Sequence, residues 1–171
     1  MSQFRAESLP ETKVGNVLER RDETLAVAES CTGGLVASLV TDVPGSSDYF
    51  DRSYVTYTAE AKRQVLGVTS EALDANGAVS EPVGRQMAQA ARDIADTTWG
   101  LSTTGVAGPE RDSADHPVGT VFIGVAHAGR ENGTDVTAVE HYRFQGSRVE
   151  VKEHIARQAL SMLLDRVEGR D

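Results

Sequence analysis

Apolar residues recur along the chain with two periods, and the switches between them set out an order of elements. Val14, Val17 and Leu18 stand at helical spacing in an otherwise polar stretch, which predicts a first helix over Ser8 to Arg21. Leu25 to Ala28 is continuously apolar and suits a strand buried on both faces. Helical spacing returns at Leu35, Val36, Leu39 and Val40, so a helix is expected from Thr32 to Thr41, stopped by the turn signal Pro44-Gly45-Ser46-Ser47. Phe50 to Tyr57 reads as a second strand and Glu60 to Leu66 as a short helix ending at Gly67. Asn76-Gly77 marks a turn, and Ser80, followed by Glu81 and Pro82, opens a helix that runs through Met87, Ala90, Ala91 and Ile94.

Trp99 to Thr104 is a short buried strand, and the polar loop from Gly105 to Val118 follows it. The segments GTVFIGVAHAG and TDVTAVEHYRF then flank a connector containing Asn132-Gly133, the pattern of a β-hairpin. A last helix over about Arg148 to Val167 carries Val151, Ile155, Leu160, Leu163 and Leu164 on one face. This order predicts one α/β domain over 1–171. Its expected form is a three-layer α/β/α sandwich with a mostly parallel mixed sheet of about five strands, one of them antiparallel and supplied by the hairpin.

Composition narrows the classes of function. The chain has 171 residues and a net charge of −9, with no basic stripe, which argues against a nucleic-acid binder. No apolar stretch reaches membrane-spanning length and the N-terminus lacks a signal-peptide pattern, so a cytoplasmic protein without membrane contact is expected. Three lysines, Lys13, Lys62 and Lys152, stand against fourteen arginines. An acidic surface that avoids lysine reads as adaptation to high intracellular salt. It also draws the eye to Lys62, retained beside a tyrosine at a candidate strand end. The apolar faces of the outer helices and the hairpin edge point to a homodimer or larger symmetric assembly.

Three polar clusters fall at predicted strand ends: Glu29-Ser30-Cys31-Thr32-Gly33-Gly34, Tyr57-Thr58-Ala59-Glu60-Ala61-Lys62, and Thr103-Thr104-Gly105-Val106-Ala107-Gly108-Pro109. In open α/β sheets the carboxyl ends of the strands form the ligand crevice, and a helix starting there offers free N–H groups to an anion or oxyanion. Ser30 taken alone is equally a helix N-cap. Lys62 alone would be a solvated surface residue, Tyr57 a residue closing the core, and Thr104-Gly105 a tight turn. Cys31 has no disulfide or zinc partner and is either a small buried thiol or a rival nucleophile. His116, His127, His141 and His154 are scattered, and Asp112, Asp115 and His116 give only a weak metal hint. No metal and no cofactor is required.

Taken together, AESCTGG at Ala28 to Gly34, TDVPGSS at Thr41 to Ser47, VTYTAEAK at Val55 to Lys62, GAVSE at Gly77 to Glu81, TGVAGP at Thr104 to Pro109 and PVGTV at Pro117 to Val121 resemble the CinA C-terminal domain family. The active members are nicotinamide-nucleotide amidohydrolases, so the resemblance implies hydrolysis of nicotinamide mononucleotide to nicotinate mononucleotide and ammonia. It implies Ser30 as nucleophile, Lys62 as general base with Tyr57 beside them, Thr104 near the oxyanion or amide, and Arg148 near the nucleotide. Cys31, Thr32, Gly33, Gly34 and Gly105 are the remaining expected substrate contacts. Some relatives carry an additional N-terminal molybdopterin-binding-like domain, and this chain is similar to the stand-alone form. It departs from the family pattern at Ala59, where relatives have Asn, at Glu110-Arg111-Asp112 in place of glycines, and at Ser147 in place of Asp. The other readings are a nucleotide-binding regulatory module with little turnover and a competence or DNA-damage protein acting on DNA, which fits the charge poorly.

Overall fold

The strand Leu25–Glu29 (β1) is buried along its whole length, with Leu25 and Val27 turned to one face and Ala26 and Ala28 to the other. Both faces must therefore be covered. In the computed structural model, which describes residues 9–110, 116–129 and 135–170, they are. Helices Pro10–Arg21 (α1), Leu35–Thr41 (α2) and Arg148–Glu168 (α6) cover the first face, packing Val14, Leu18, Val36, Val40, Ile155, Leu160 and Leu163 against it. Helices Ala59–Leu66 (α3), Ser70–Asn76 (α4) and Glu81–Ala95 (α5) cover the second, where Leu66, Val68, Ala72, Val83, Met87 and Ala91 meet the alanines of β1.

The sheet has the order β2-β1-β3-β4-β5, with β2 at Phe50–Val55, β3 at Trp99–Gly105, β4 at Thr120–His127 and β5 at Val136–Arg143. β1 pairs in parallel with β2 and β3, and β4 is antiparallel to both β3 and β5. Four strands thus run one way and β4 alone runs the other, the three-layer mixed sheet expected from the pattern. Small residues bring α5 close to it: a side chain at Gly100 would stand 2.0 Å from the Ala88 carbonyl oxygen, and one at Gly124 would stand 2.8 Å from that of Gly84. Glycine is needed there for close approach of two backbones.

Two local expectations change. The helix after β1 starts at Leu35, not Thr32, because Gly33 and Gly34 take positive φ of 59° and 98° and turn the chain before the helix begins. A helix absent from the sequence reading, α4, spans Ser70–Asn76, its N-terminus capped by Thr69. The helix expected through Met87, Ala90, Ala91 and Ile94 is present, with Ile94 49% exposed and Arg92 buried, its guanidinium on Asp93, Asp135 and the His127 carbonyl. Ser8 and the Asn132-Gly133 turn lie outside the described residues. Among the described residues no helix is long and apolar enough to cross a membrane.

Candidate active site

Because β1, β2 and β3 are mutually parallel, their carboxyl ends share one edge, and the chain leaving each contributes one wall of a cleft of about 280 Å³. β1 leads into Ser30 and Cys31, β2 into Tyr57, and β3 into Gly105 and Gly108. Thr104, Val106, Ala107 and Glu110 belong to the β3 wall, and Ala78 and Val79, just before α5, with Arg148, the first residue of α6, line the remainder.

Lys62 is at the base. Thr58 caps α3 by accepting the Ala61 N–H at 3.1 Å, which sets the helix so that Lys62, one turn in, points back beneath the strand ends. The side chain is 1% exposed. Its Nζ lies 2.8 Å from Ser30 Oγ, 2.9 Å from the Thr56 carbonyl oxygen and 3.4 Å from that of Tyr57. None of these partners is a carboxylate, so burial outweighs the smaller opposing effect of Cys31 and pulls the amine down from 10.5 to about 8. A lysine held this way carries a substantial neutral fraction at mild alkaline pH and can take a proton from the hydroxyl it touches.

Cys31 has the opposite electrostatics. Burial pushes its thiol up to about 12, against the smaller opposing effects of its own amide, the Lys62 charge and the Thr103 hydroxyl. The thiol stays protonated, so of the two neighbouring candidates Ser30 is the one beside a usable base.

The turn after β1 does not present an open helix N-terminus. The carboxylate of Glu29, fully buried, fills it: Oε2 accepts the Gly34 and Val36 N–H groups at 3.0 Å and the Thr32 hydroxyl at 2.7 Å, while Oε1 accepts the Ala37 N–H and the Ser53 hydroxyl at 3.0 Å. The expectation that this helix end receives a substrate anion is thereby corrected, and so is the N-cap reading of Ser30, since Gly34 is the cap residue and Glu29 supplies the acceptors. Thr32 faces Glu29 and Thr103, and neither it nor Gly33 and Gly34 lines the cleft. In the turn the Gly33 amide bonds to the Ser30 carbonyl and the Leu35 amide to that of Thr32. No other described residue accepts from the amides of Cys31 and Thr32.

Tyr57 reaches the dyad through its main chain only. Its carbonyl oxygen lies 3.4 Å from both Ser30 Oγ and Lys62 Nζ, whereas its ring is 57% exposed at the rim and its hydroxyl accepts from Arg148 Nη2 at 2.8 Å. Arg148 also donates to the Gly108 carbonyl, bridging the mouth of the cleft. Thr104 is buried, with its hydroxyl donated to the Ala78 carbonyl at 2.6 Å, so it ties β3 to the segment before α5.

The departures from the family pattern fall unevenly. Ala59 is exposed and outside the cleft, and Lys62 has main-chain partners that need no side-chain amide. Ser147 caps α6 in a reciprocal box with Glu150, the same service an aspartate performs at that position. Glu110 alone lines the cleft, and Arg111 and Asp112 lie outside the described residues. So does Asp115, while His116 meets Phe122 edge to face. His127, His141 and His154 pack against Trp99, Phe122 and Phe144. Among the described residues no group of three or more His, Cys, Asp or Glu side chains is placed to hold a metal ion.

The fold and this strand-edge cleft define an α/β protein with its candidate site at the carboxyl end of a mixed sheet. The family model described as the CinA C-terminal domain matches residues 7–167, and the chain belongs to that family. A CinA-like protein of Desulforapulum autotrophicum is 54% identical over 119 residues, which are 70% of this chain and 28% of that protein. Another, of Syntrophus aciditrophicus, is 47% identical over 154 residues, 90% and 35% of the two chains. This chain spans about a third of the length of these curated relatives. Among solved structures, the competence damage-inducible protein A of Klebsiella pneumoniae superposes with a TM-score of 0.87 at 30% identity, covering 93% of this chain and 95% of that one. The competence/damage inducible protein CihA of Agrobacterium tumefaciens does so with a TM-score of 0.83 at 35% identity, covering 98% and 99%.

Proposed function

We propose that the protein is a nicotinamide-nucleotide amidohydrolase that converts nicotinamide mononucleotide and water to nicotinate mononucleotide and ammonia through a covalent Ser30 intermediate. The observation that carries this reading is the buried contact of Lys62 Nζ with Ser30 Oγ at 2.8 Å, on an amine lowered to about 8. Neutral Lys62 takes the Ser30 proton as Oγ attacks the carboxamide carbon. The oxyanion is met by the turn amide of Cys31, a donor worth on the order of 3 kcal/mol in other acyl-transfer sites. Lys62, now protonated, returns the proton to the departing nitrogen, and ammonia leaves an acyl-serine. Water then enters, loses a proton to Lys62, and releases the carboxylate and Ser30. The apolar wall of Val79, Val106 and Ala107 suits a flat ring, and Arg148 at the mouth suits the 5′-phosphate.

The test is incubation with nicotinamide mononucleotide in molar potassium chloride, measuring ammonia and nicotinate mononucleotide together, with Lys62→Met as control. Equimolar products that vanish in the variant are expected. Nucleotide binding by a folded wild-type protein without any product would refute the amidohydrolase in favour of a regulatory module.

A further inference from the structure

Glu29 is the last residue of β1, directly before Ser30, and the proposed chemistry does not use it. Its side chain is fully buried and accepts five hydrogen bonds, two of them from hydroxyls and three from main-chain amides at the start of α2. A carboxylate so buried is held only by charge-assisted bonds and the positive helix end. Its partners span three elements. Ser53 belongs to β2, Thr32 to the turn, and the Thr32 hydroxyl continues to Thr103 of β3 at 2.8 Å. The main chain repeats the linkage, with the Thr56 N–H donating to the Glu29 carbonyl at 2.8 Å and the Ser30 N–H to the Thr103 carbonyl at 3.0 Å. Ser30 follows Glu29 directly, and the carbonyl of Thr56 is itself a partner of Lys62.

We infer that Glu29 is a positioning residue: its carboxylate occupies the helix end that would otherwise be an anion site, and by binding β2, β3 and the turn together it fixes the Ser30 hydroxyl against Lys62. The inference rests on the Ser30 and Lys62 roles proposed above and not on the identity of the substrate. Glu29→Gln keeps the shape but replaces one oxygen with an NH2 donor. Each oxygen faces at least one main-chain N–H, so either orientation sets donor against donor and shifts the turn.

The experiment measures the rate at which a fluorophosphonate probe labels Ser30 in the full chain, by mass spectrometry, across pH, alongside circular dichroism and thermal melts. The probe's phosphorus accepts Ser30 Oγ, fluoride leaves and the hydroxyl proton passes to Lys62, so the rate reads nucleophile alignment without a natural substrate. Glu29→Gln is expected to label to completion at a rate lower by on the order of a hundredfold, with the pH midpoint kept because Lys62 retains its main-chain partners. Ser53→Ala, which removes one bond at a half-buried site, is expected to slow labelling several-fold with a nearly unchanged melt.

Labelling of Glu29→Gln at the wild-type rate, or a fall in labelled fraction alone, overturns the inference. If that variant does not fold, a wild-type rate in Ser53→Ala does so. Wild-type protein that labels but does not hydrolyse nicotinamide mononucleotide removes the substrate reading and leaves the role of Glu29 standing. Wild-type protein that never labels removes both.

Discussion

Lys62→Met should make the protein more stable at neutral pH while silencing it. The folded state lowers the Lys62 amine from 10.5 to about 8 by burial. Between those values the unfolded chain binds more protons than the folded one, so stability rises with pH through that window and is lost as pH falls through 8. With a difference of one in pKa corresponding to about 1.4 kcal/mol, a charged Lys62 costs the folded state about 3 kcal/mol at pH 7 and about 1 kcal/mol at pH 9.5. Methionine removes that penalty at both. It also leaves the Thr56 carbonyl, now bonded to Nζ at 2.9 Å, without that donor, a loss of about 1–2 kcal/mol that does not change with pH. The variant should therefore exceed wild type by about 1–2 kcal/mol at pH 7 and lose that margin by pH 9.5. Urea unfolding followed through Trp99, the single tryptophan and 6% exposed, reads the difference. A gap between the two proteins that is the same at both pH values would refute a Lys62 titrating near 8 and with it the general-base argument.

The proposed mechanism uses the neutral amine, so kcat/KM for the amide should climb with pH through about 8; a flat profile from neutral to alkaline pH would contradict Lys62 as the base. Ser30→Ala should abolish turnover and acyl-enzyme formation, whereas Cys31→Ala, removing a thiol pushed up to about 12, should retain most activity; kinetics of the two variants side by side decide between the neighbours. Tyr57→Phe keeps the carbonyl that faces the dyad and should stay within a few-fold of wild-type kcat, while Arg148→Ala should raise KM for the phosphorylated nucleotide by about tenfold and leave its unphosphorylated riboside unchanged. Gly100→Ala should destabilise the fold by about 3 kcal/mol in urea titrations, since its Cβ would stand 2.0 Å from the Ala88 carbonyl oxygen.

The sheet and most helices were legible because burial on one or both faces leaves a periodic trace: Leu25 to Ala28 could hardly be anything but a strand buried on two sides, and Val151 to Leu164 marks one face of α6. α4 left little trace because only Ala72 of its seven residues is buried and Asn76-Gly77 at its end reads as a turn. The burial of Arg92 left no trace in the sequence, because its charge is satisfied by Asp93 and by Asp135, more than forty residues away. Within the site, Ser30 and Lys62 were readable from motifs. Glu29 was not, because an acid closing an apolar strand looks like the strand's exposed end, and the hydroxyls that receive it come from Ser53 and, through Thr32, from Thr103, more than twenty and seventy residues away in sequence. The two roles of Tyr57 separate for a similar reason: sequence names a side chain, and here the main-chain oxygen is what lies beside the dyad.

The order β2-β1-β3 has a consequence for how the molecule acquires its chemistry. Ser30 opens the β1–β2 crossover and Lys62 follows β2, and the turn that holds Ser30 is braced by β3, which is synthesised some seventy residues later. Parallel pairings of this kind close large loops and form late relative to local helices. A nascent or partly folded chain with β1, α2 and β2 in place but β3 unpaired lacks the Thr103 brace behind the turn that holds Ser30. On the nucleophile role proposed for Ser30, its reactivity should report the completed central sheet, returning during refolding after the helical signal and together with the burial of Trp99.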